Sequence, residues 1–162
     1  MVALTVAFDP KDLAELKQKL QPELWAPAVG LAISRVALGG ERVAKEGAPK
    51  DTRALMRDLR ADIRPLDAKV HPPRQLEYFK VMEYGRRPGR RMPPPRALFG
   101  WLRRHGIDQR AAFVVARAIG RRGIKGRFYM KAARKWMENR LPRELRTASA
   151  EIERRFSKTG GL

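Results

Sequence analysis

The chain has 162 residues, no cysteine and a formal net charge of +19. The lack of cysteine excludes disulfides, cysteine-ligated zinc and thiol catalysis. With 43% hydrophobic residues, the chain has enough apolar material for one core. Asp9 and Pro10 come too soon for a signal peptide, and no apolar run approaches the roughly 18 residues of a membrane span, so we expect a soluble protein that is not exported.

The first part of the chain predicts two helices. Asp9 and Pro10 form a helix start, and leucines at helical spacing over 13–20 predict a short helix that ends near Pro22. From Glu23 a narrow apolar stripe predicts a second helix of about six turns that stops at 47–49. Small residues in this helix would let a neighbouring element approach closely; they are Ala28, Ala32, Ala37, Gly39 and Gly40.

Residues 51–85 predict a small antiparallel sheet. Apolar residues over 55–63 alternate with charged ones, which favours a half-buried strand over the helix that Leu55, Leu59 and Ile63 would also fit. A turn over 65–69 leads to a short strand at Val70. The aromatic residues of 76–84 are prone to form a strand.

The second half of the chain predicts a loop and further helices. Three consecutive prolines make 86–95 a loop, and an amphipathic helix with Trp101 follows. Asp108 caps the next helix, in which Val114 is expected to face the core. Glycines 120, 123 and 126 are expected to break the chain, and Pro142 to open a last helix before a flexible tail over 157–162. The core-facing residues of the helix after Asp108 are predicted to be Ala111, Val114, Val115, Ala118 and Ile119, with Arg110, Arg117 and Arg121 outside.

Positive charge is concentrated in residues 86–127, which hold thirteen Lys or Arg side chains against the single acid Asp108. Such a stretch suits a polyanionic or acidic partner. Guanidinium groups bind phosphates through forked hydrogen bonds, but arginine is also enriched at protein interfaces. A protein interface, a nucleic-acid surface and a loop that binds nothing therefore stay open. The candidate contact residues are Arg86, Arg87, Arg90, Arg91, Arg96, Arg103, Arg104, Arg121, Arg122 and Lys125.

No group of residues predicts catalysis. His71 and His105 lie beside a proline pair and a helix end with no second ligand at suitable spacing, so surface or capping roles are expected. Glu77 and Glu83 share a strand face without a proton-shuttling partner, which favours a structural ion pair. The sequence GRRGIKG over 120–126 lacks the spacing and the preceding strand of a phosphate-binding loop. We expect neither an enzyme nor a cofactor- or metal-binding protein.

Four local patterns, in chain order within about residues 22–140, resemble one family. Residues 48–57 are similar to its Ala-Pro-x-Asp-Thr-Gly-x-Leu-Arg turn, and 78–85 to its Tyr-Ala-x-x-x-Glu-Tyr-Gly segment. Residues 94–102 resemble a helix of some members, and 116–130 an Ala-Ile-x-x-x-Gly turn with an aromatic docking pair. The family is the tail-completion, or head-tail joining, proteins of long-tailed bacteriophages. The matching positions include Pro49, Asp51, Thr52, Leu55, Tyr78, Glu83, Tyr84, Gly85, Pro95 and Trp101.

The resemblance implies an α+β protomer, with a long helix on a small antiparallel sheet and more helices in the C-terminal half. It implies a non-enzymatic neck protein that forms a ring, commonly of six copies, at the head-proximal end of the tail tube. The implied partners are other copies, the head connector or adaptor and the tail-tube or tail-terminator proteins, with transient contact to DNA. The protein would lie at the head-tail junction of the virion, after assembly in the host cytoplasm from a chain that can be monomeric in solution.

Two positions depart from the family pattern. Arg53 replaces a glycine that would permit positive φ, and Arg86 replaces a threonine. We expect a single domain over 1–156 in which 86–96 is a basic loop. The alternative to a joining protein is a nucleic-acid-binding module that contacts phosphates through 86–127. Arginine outnumbers lysine more than two to one, which is compatible with a hot habitat or with GC-rich coding.

Overall fold

The computed structural model describes residues 4–6, 22–51, 53–72 and 79–158. In these residues the protein has the predicted α+β fold, with a small antiparallel sheet and mostly helix elsewhere. Short 3-10 turns at Pro95–Leu98 and Gln109–Ala111 precede two of the helices. The elements are β1 (Leu4–Val6), α1 (Pro22–Gly47), α2 (Ala54–Asp58), β2 (Arg60–Arg64), β3 (Asp67–His71), α3 (Phe79–Tyr84), α4 (Phe99–Arg104), α5 (Ala112–Arg122) and α6 (Tyr129–Lys158).

The two long helices α1 and α6 pack against each other and carry most of the core. They run antiparallel, since Gly47 faces Tyr129 while Ala28 lies near Ala148. A Cβ on Gly39 would lie 2.1 Å from the ring of Trp136. The predicted close approach at the small residues of α1 is therefore confirmed.

The sheet lies on another face of α1. Strand β3 pairs antiparallel with both β1 and β2, so it is the central strand. Ala68 and Val70 of β3 are buried, and Ala68 packs with Ile33 and Ala37 of α1. The strand expected at Val70 is confirmed, although it begins at Asp67, inside the stretch expected to be a turn.

The strand expected over 55–63 is only partly correct. Residues 54–58 form helix α2, and the strand begins at Arg60. Leu55 and Leu59 are both fully buried and lie four residues apart, which is helical spacing. The helix that these leucines also fit therefore forms first. In β2 only Ala61 is partly buried and Ile63 is 38% exposed, so the expected half-buried face is not formed there.

The strand expected over 76–84 is wrong for its described part. Residues 79–84 form α3, which buries Phe79 and Glu83, again four residues apart. Residues 73–78 lie outside the described residues, as does the predicted helix over 9–20. No sequence pattern indicates β1, because a strand of three residues is too short for a periodic pattern.

The C-terminal half contains two further corrections. Helix α6 is continuous from Tyr129 to Lys158, so Pro142 lies inside a helix and the last two described residues belong to it rather than to a flexible tail. Pro142 is exposed, where the carbonyl left unpaired by the missing N–H can face water. Helix α5 continues past Gly120 to Arg122, where Gly123 caps it, and Val114 is 68% exposed rather than buried. The buried stripe of α5 is Ala112, Ala116 and Gly120.

Candidate functional site: a basic surface and its supports

The predicted contact residues lie in the segment between α3 and α6, residues 86–127. We call this segment the basic segment. It contains α4, α5 and both 3-10 turns, and Leu102, Ala112 and Ala116 are buried within it. All of the predicted contact residues except Arg86 are exposed. The exposed ones are Arg87, Arg90, Arg91, Arg96, Arg103, Arg104, Arg121, Arg122 and Lys125.

The charge of the basic segment is almost uncompensated. Of its thirteen cations, Arg104 alone forms an ion pair with a carboxylate of the described residues, namely Asp51. The single acid of the segment, Asp108, instead accepts a hydrogen bond from the backbone N–H of Arg110. This carboxylate therefore caps the 3-10 turn that leads into α5.

Arg86 anchors the start of the basic segment. Its backbone forms an antiparallel bridge with Ile124, in which the two N to O distances are 2.8 and 2.9 Å. Its side chain is half-buried and donates to the carbonyl of Arg91. Arg86 thus fixes the shape of the 86–91 loop more than it presents charge.

Glycines let the loop lie directly against the end of α5. Gly123 has φ of +73°, and a Cβ there would lie 2.1 Å from the carbonyl oxygen of Arg86. The N–H of Gly89 donates to the carbonyl of Gly120 at 2.9 Å. Gly120 and Gly123, which were expected only to break the chain, therefore also support the arginine loop. Gly123 has no Cβ to collide with it, and the carbonyl of Gly120 accepts a hydrogen bond from it.

Glu83 of the family-like Glu-Tyr-Gly motif caps the long helix α6. Its carboxylate accepts hydrogen bonds from the backbone N–H groups of Met130 at 3.0 Å and Lys131 at 3.1 Å. The side chain is 2% exposed, so a carboxylate is buried at a helix N-terminus, where orphan N–H groups and the helix dipole favour negative charge. The ion pair expected for Glu83 is therefore wrong, and the helix end takes the place of a cation.

The other motif residues lie at several places in the fold. Gly85 has φ of +79° and packs against the backbone of Gly126, while Tyr84 is 51% exposed. Leu55 is fully buried in the main core, and Pro49 ends the turn after α1. Pro95 opens the 3-10 turn before α4. Thr52 and Tyr78 lie outside the described residues.

Asp51 and Arg104 connect the basic segment to the turn after α1. The Arg104 guanidinium donates to both carboxylate oxygens of Asp51, with N to O distances of 3.0 and 2.5 Å. These hydrogen bonds, and secondarily the charges of Arg104 and His105, hold the pKa of Asp51 below its ordinary value. His105 lies at the end of α4, as expected, stacked on Trp101 with ring centroids 4.4 Å apart.

We expect the substitution Arg104→Gln to lower the free energy of unfolding near neutral pH by about 0.5 kcal/mol, because Arg104 is 41% exposed and solvent screens the pair. The folded-state pKa of Asp51 is lowered, so the stabilisation is present above the ordinary value of 3.8 and is lost as the pH falls through the lower pKa. Urea unfolding across the acid range should show variant and wild type converging. The neighbouring Arg103→Gln is the control, and a difference that persists at the acid end would contradict the pairing.

Arg53 adopts the conformation that the family glycine would provide. Its backbone has φ of 55° and ψ of 6°, in the left-handed region. It directly precedes α2, so the turn keeps its path despite the Cβ. For a residue other than glycine this conformation costs roughly 1 kcal/mol.

The substitution Arg53→Gly is expected to raise the free energy of unfolding by about 0.5 kcal/mol, because it removes the left-handed strain but gives the unfolded chain more freedom. Arg53→Ala keeps the Cβ and should give no such gain. Thermal and urea unfolding of the three proteins measure the difference. Equal stability of the glycine and alanine variants would show that the backbone is not strained at this position.

Sequence reasoning missed an apolar part of the basic surface. Phe113 and Val114 are 53% and 68% exposed at the start of α5, between Arg110 and Arg117. The larger apolar residues of α5 predict a core stripe through Val114, because they outnumber the three small residues that are buried. The four-residue spacing of Ala112, Ala116 and Gly120 is the sequence signal that indicates the buried side of α5 instead.

The described residues contain no group of three or more side chains suited to hold a metal ion, and none of their helices is long and apolar enough to cross a membrane. A groove between α1 and α6 has an apolar floor that includes Leu31 and Ala32. Arg35, Arg154 and Arg155 lie along it. Comparison of the chain with protein-family models, with curated proteins and with solved structures finds no match.

Proposed function

We propose that this protein is a non-enzymatic structural component of a tailed bacteriophage, which joins head and tail at the head-proximal end of the tail tube. The observation that carries the proposal is the field of exposed cations in the basic segment, of which Arg104 alone pairs with a described carboxylate, on a backbone held by the Arg86–Ile124 bridge. A surface of this kind suits docking, because little conformational entropy is lost when an ordered loop binds. The resemblance of the four local patterns supplies the class of assembly.

Two of the four local patterns support the resemblance at the level of local geometry. Arg53 has the left-handed backbone that the family glycine permits. Glu83 and Gly85 connect α3 to the start of α6, so the Glu-Tyr-Gly motif has a defined structural task. The contacts of Glu83 and Gly85 hold the two ends of the basic segment close to ordered elements, as a docking surface requires.

The proposed mechanism is cooperative assembly. In a closed ring each contact between copies is repeated, so a modest interface gains stability through symmetry. The exposed cations of the basic segment then attract an acidic surface of a neighbouring protein and so steer docking. A chain that is monomeric in solution is consistent with this mechanism, because the edge of a preformed connector or tube would template the ring.

Electron microscopy of the intact virus particle tests the proposal. We expect density for this chain at the junction of capsid and tail, in a ring coaxial with the tail tube. A pull-down with the connector and tail-tube proteins encoded near its gene should recover at least one of them. Particles that lack the chain at the junction would contradict the proposal.

A second candidate function is nucleic-acid binding, which the exposed arginines of the basic segment also favour. Binding of this kind weakens steeply with salt, with a log-log slope of about −0.9 for each phosphate neutralised on duplex DNA. Fluorescence anisotropy with a 20-base-pair duplex at two salt concentrations measures it. Absence of binding at the lower salt concentration removes this candidate.

A further inference from the structure

Helix α5 presents a face that combines exposed apolar side chains with arginines. Phe113, Val114, Arg117 and Arg121 lie on one side of the helix by their spacing, and Arg110 lies one turn before them. All five are exposed, whereas the opposite stripe packs inside the basic segment. We call these five residues the α5 face.

The composition of the α5 face is that of a protein interface. Exposed Phe113 and Val114 form an apolar centre, and arginines surround it on the same helix. Interface centres are enriched in aromatic side chains and arginine, and their energy is concentrated in a few such residues. Phosphate binding would use the arginines and would leave Phe113 and Val114 without a role.

Charge argues against a second copy as the occupant of this face. Carboxylates along the described chain are largely paired with cations of the same chain, as in Glu41–Lys45, Asp62–Arg64 and Glu144–Arg140. The groove between α1 and α6 has an apolar floor and two carboxylates, Glu144 and Glu151. These carboxylates already pair with Arg35, Arg154 and Arg155 along the groove, so they are poorly placed to receive the arginines of the α5 face. A second copy therefore offers the α5 face few carboxylates of the described residues that are not already paired.

We infer that the α5 face docks a different protein, whose surface offers an apolar socket surrounded by carboxylates. This inference rests on the proposed function, since it names the partner chemistry for the docking surface of the joining protein. Phe113 and Val114 fill the socket, and Arg110, Arg117 and Arg121 pair with its acidic edge. The apolar contact determines how long the complex lasts, and the arginines chiefly raise the association rate.

Biolayer interferometry with the connector and tail-tube proteins encoded beside this gene tests the inference. We expect the double variant F113S/V114S to bind at least about tenfold more weakly than wild type, and the triple variant R110Q/R117Q/R121Q to associate more slowly, most clearly at low salt.

Two control variants change similar side chains on other helices. The control L31S/L38S removes two leucines of α1 that are 52% and 54% exposed. The control K135Q/R143Q/R146Q removes three exposed charges of α6. Both controls should retain affinity within about twofold, and circular dichroism should show that every variant is folded.

The outcomes separate this inference from the proposed function. If wild type binds a partner and the α5 variants bind equally well, the α5 face is not the docking site although the joining role stands. If wild type binds neither component, the joining role fails and the inference fails with it.

Two further measurements distinguish other occupants. Binding of a 20-base-pair duplex that R110Q/R117Q/R121Q loses and F113S/V114S keeps would identify nucleic acid as the occupant and overturn the inference. Self-association in analytical ultracentrifugation that F113S/V114S abolishes would identify a second copy and overturn it equally.

Discussion

Replacing Glu83 by alanine should lower the free energy of unfolding by about 3 kcal/mol. The substitution removes the acceptor of two backbone hydrogen bonds at the start of α6 and leaves the N–H of Met130 without its partner in a buried position. Hydrogen bonds to a charged group contribute about 1.5–3 kcal/mol each, and an unsatisfied buried donor adds its own desolvation cost. Urea unfolding measures the change.

Two variants show whether the cap is the cause. Glu83→Gln keeps one acceptor but loses the charge and turns an amide donor towards the helix N–H groups, so an intermediate loss is expected. Glu138→Ala removes a carboxylate of α6 that is 58% exposed and pairs with Arg134. This control should lower the free energy of unfolding by at most about 0.5 kcal/mol. A loss for Glu83→Ala no greater than that for Glu138→Ala would contradict the capping role.

The loss of the cap should also be visible locally. Hydrogen exchange of the amides at 129–133 is expected to accelerate in Glu83→Ala before global unfolding, because these groups form the first turn of α6. The backbone bonds from Arg127 to Met82 and from Phe128 to Glu83 lie beside the cap. The C-terminal anchor of the basic segment therefore loosens with it, and docking through that segment is expected to weaken.

Replacing Gly40 by valine is the second large effect, with an expected loss of about 3 kcal/mol. A Cβ at this position would lie 2.3 Å from the sulfur and 2.6 Å from Cγ of Met137, which is itself 1% exposed. The side chain of Met137 has no room to move aside, so α1 and α6 must separate. Overpacking of this kind costs roughly 1–3 kcal/mol for small additions, and valine adds three carbons.

Alanine at glycine positions separates packing from helix propensity. Alanine favours a helix by about 1 kcal/mol over glycine, so Gly40→Ala would stabilise the protein if propensity dominated. We expect a net loss there because the clash is larger. The control Gly100→Ala in α4 meets only the end of the Arg104 guanidinium at 3.2 Å and should be neutral or slightly stabilising. Thermal unfolding of both variants measures the contrast, and a gain for Gly40→Ala would show that the helix pair is loosely packed.

The sequence predicted helices well where an apolar pattern repeated over many residues. The stripe from Glu23 to Val43 gave α1, and Asp108 and Gly106 marked the boundaries around the turn before α5. Short elements were less predictable. Leu55 and Leu59 fit either period, and Phe79 with Glu83 reads as a strand face until the helical spacing of the buried pair is known.

The sequence by itself determined two features of the protein: a basic segment with one acid, and a long helix with small residues. Only the tertiary structure decided what these residues contact. Glu83 caps α6 from 47 residues away, Gly123 receives the backbone of Arg86, and Val114 turns outward while Ala112 and Ala116 turn inward. The physical reason is that charge and periodicity are properties of neighbouring residues, whereas burial and hydrogen-bond partners depend on segments that are distant in the chain.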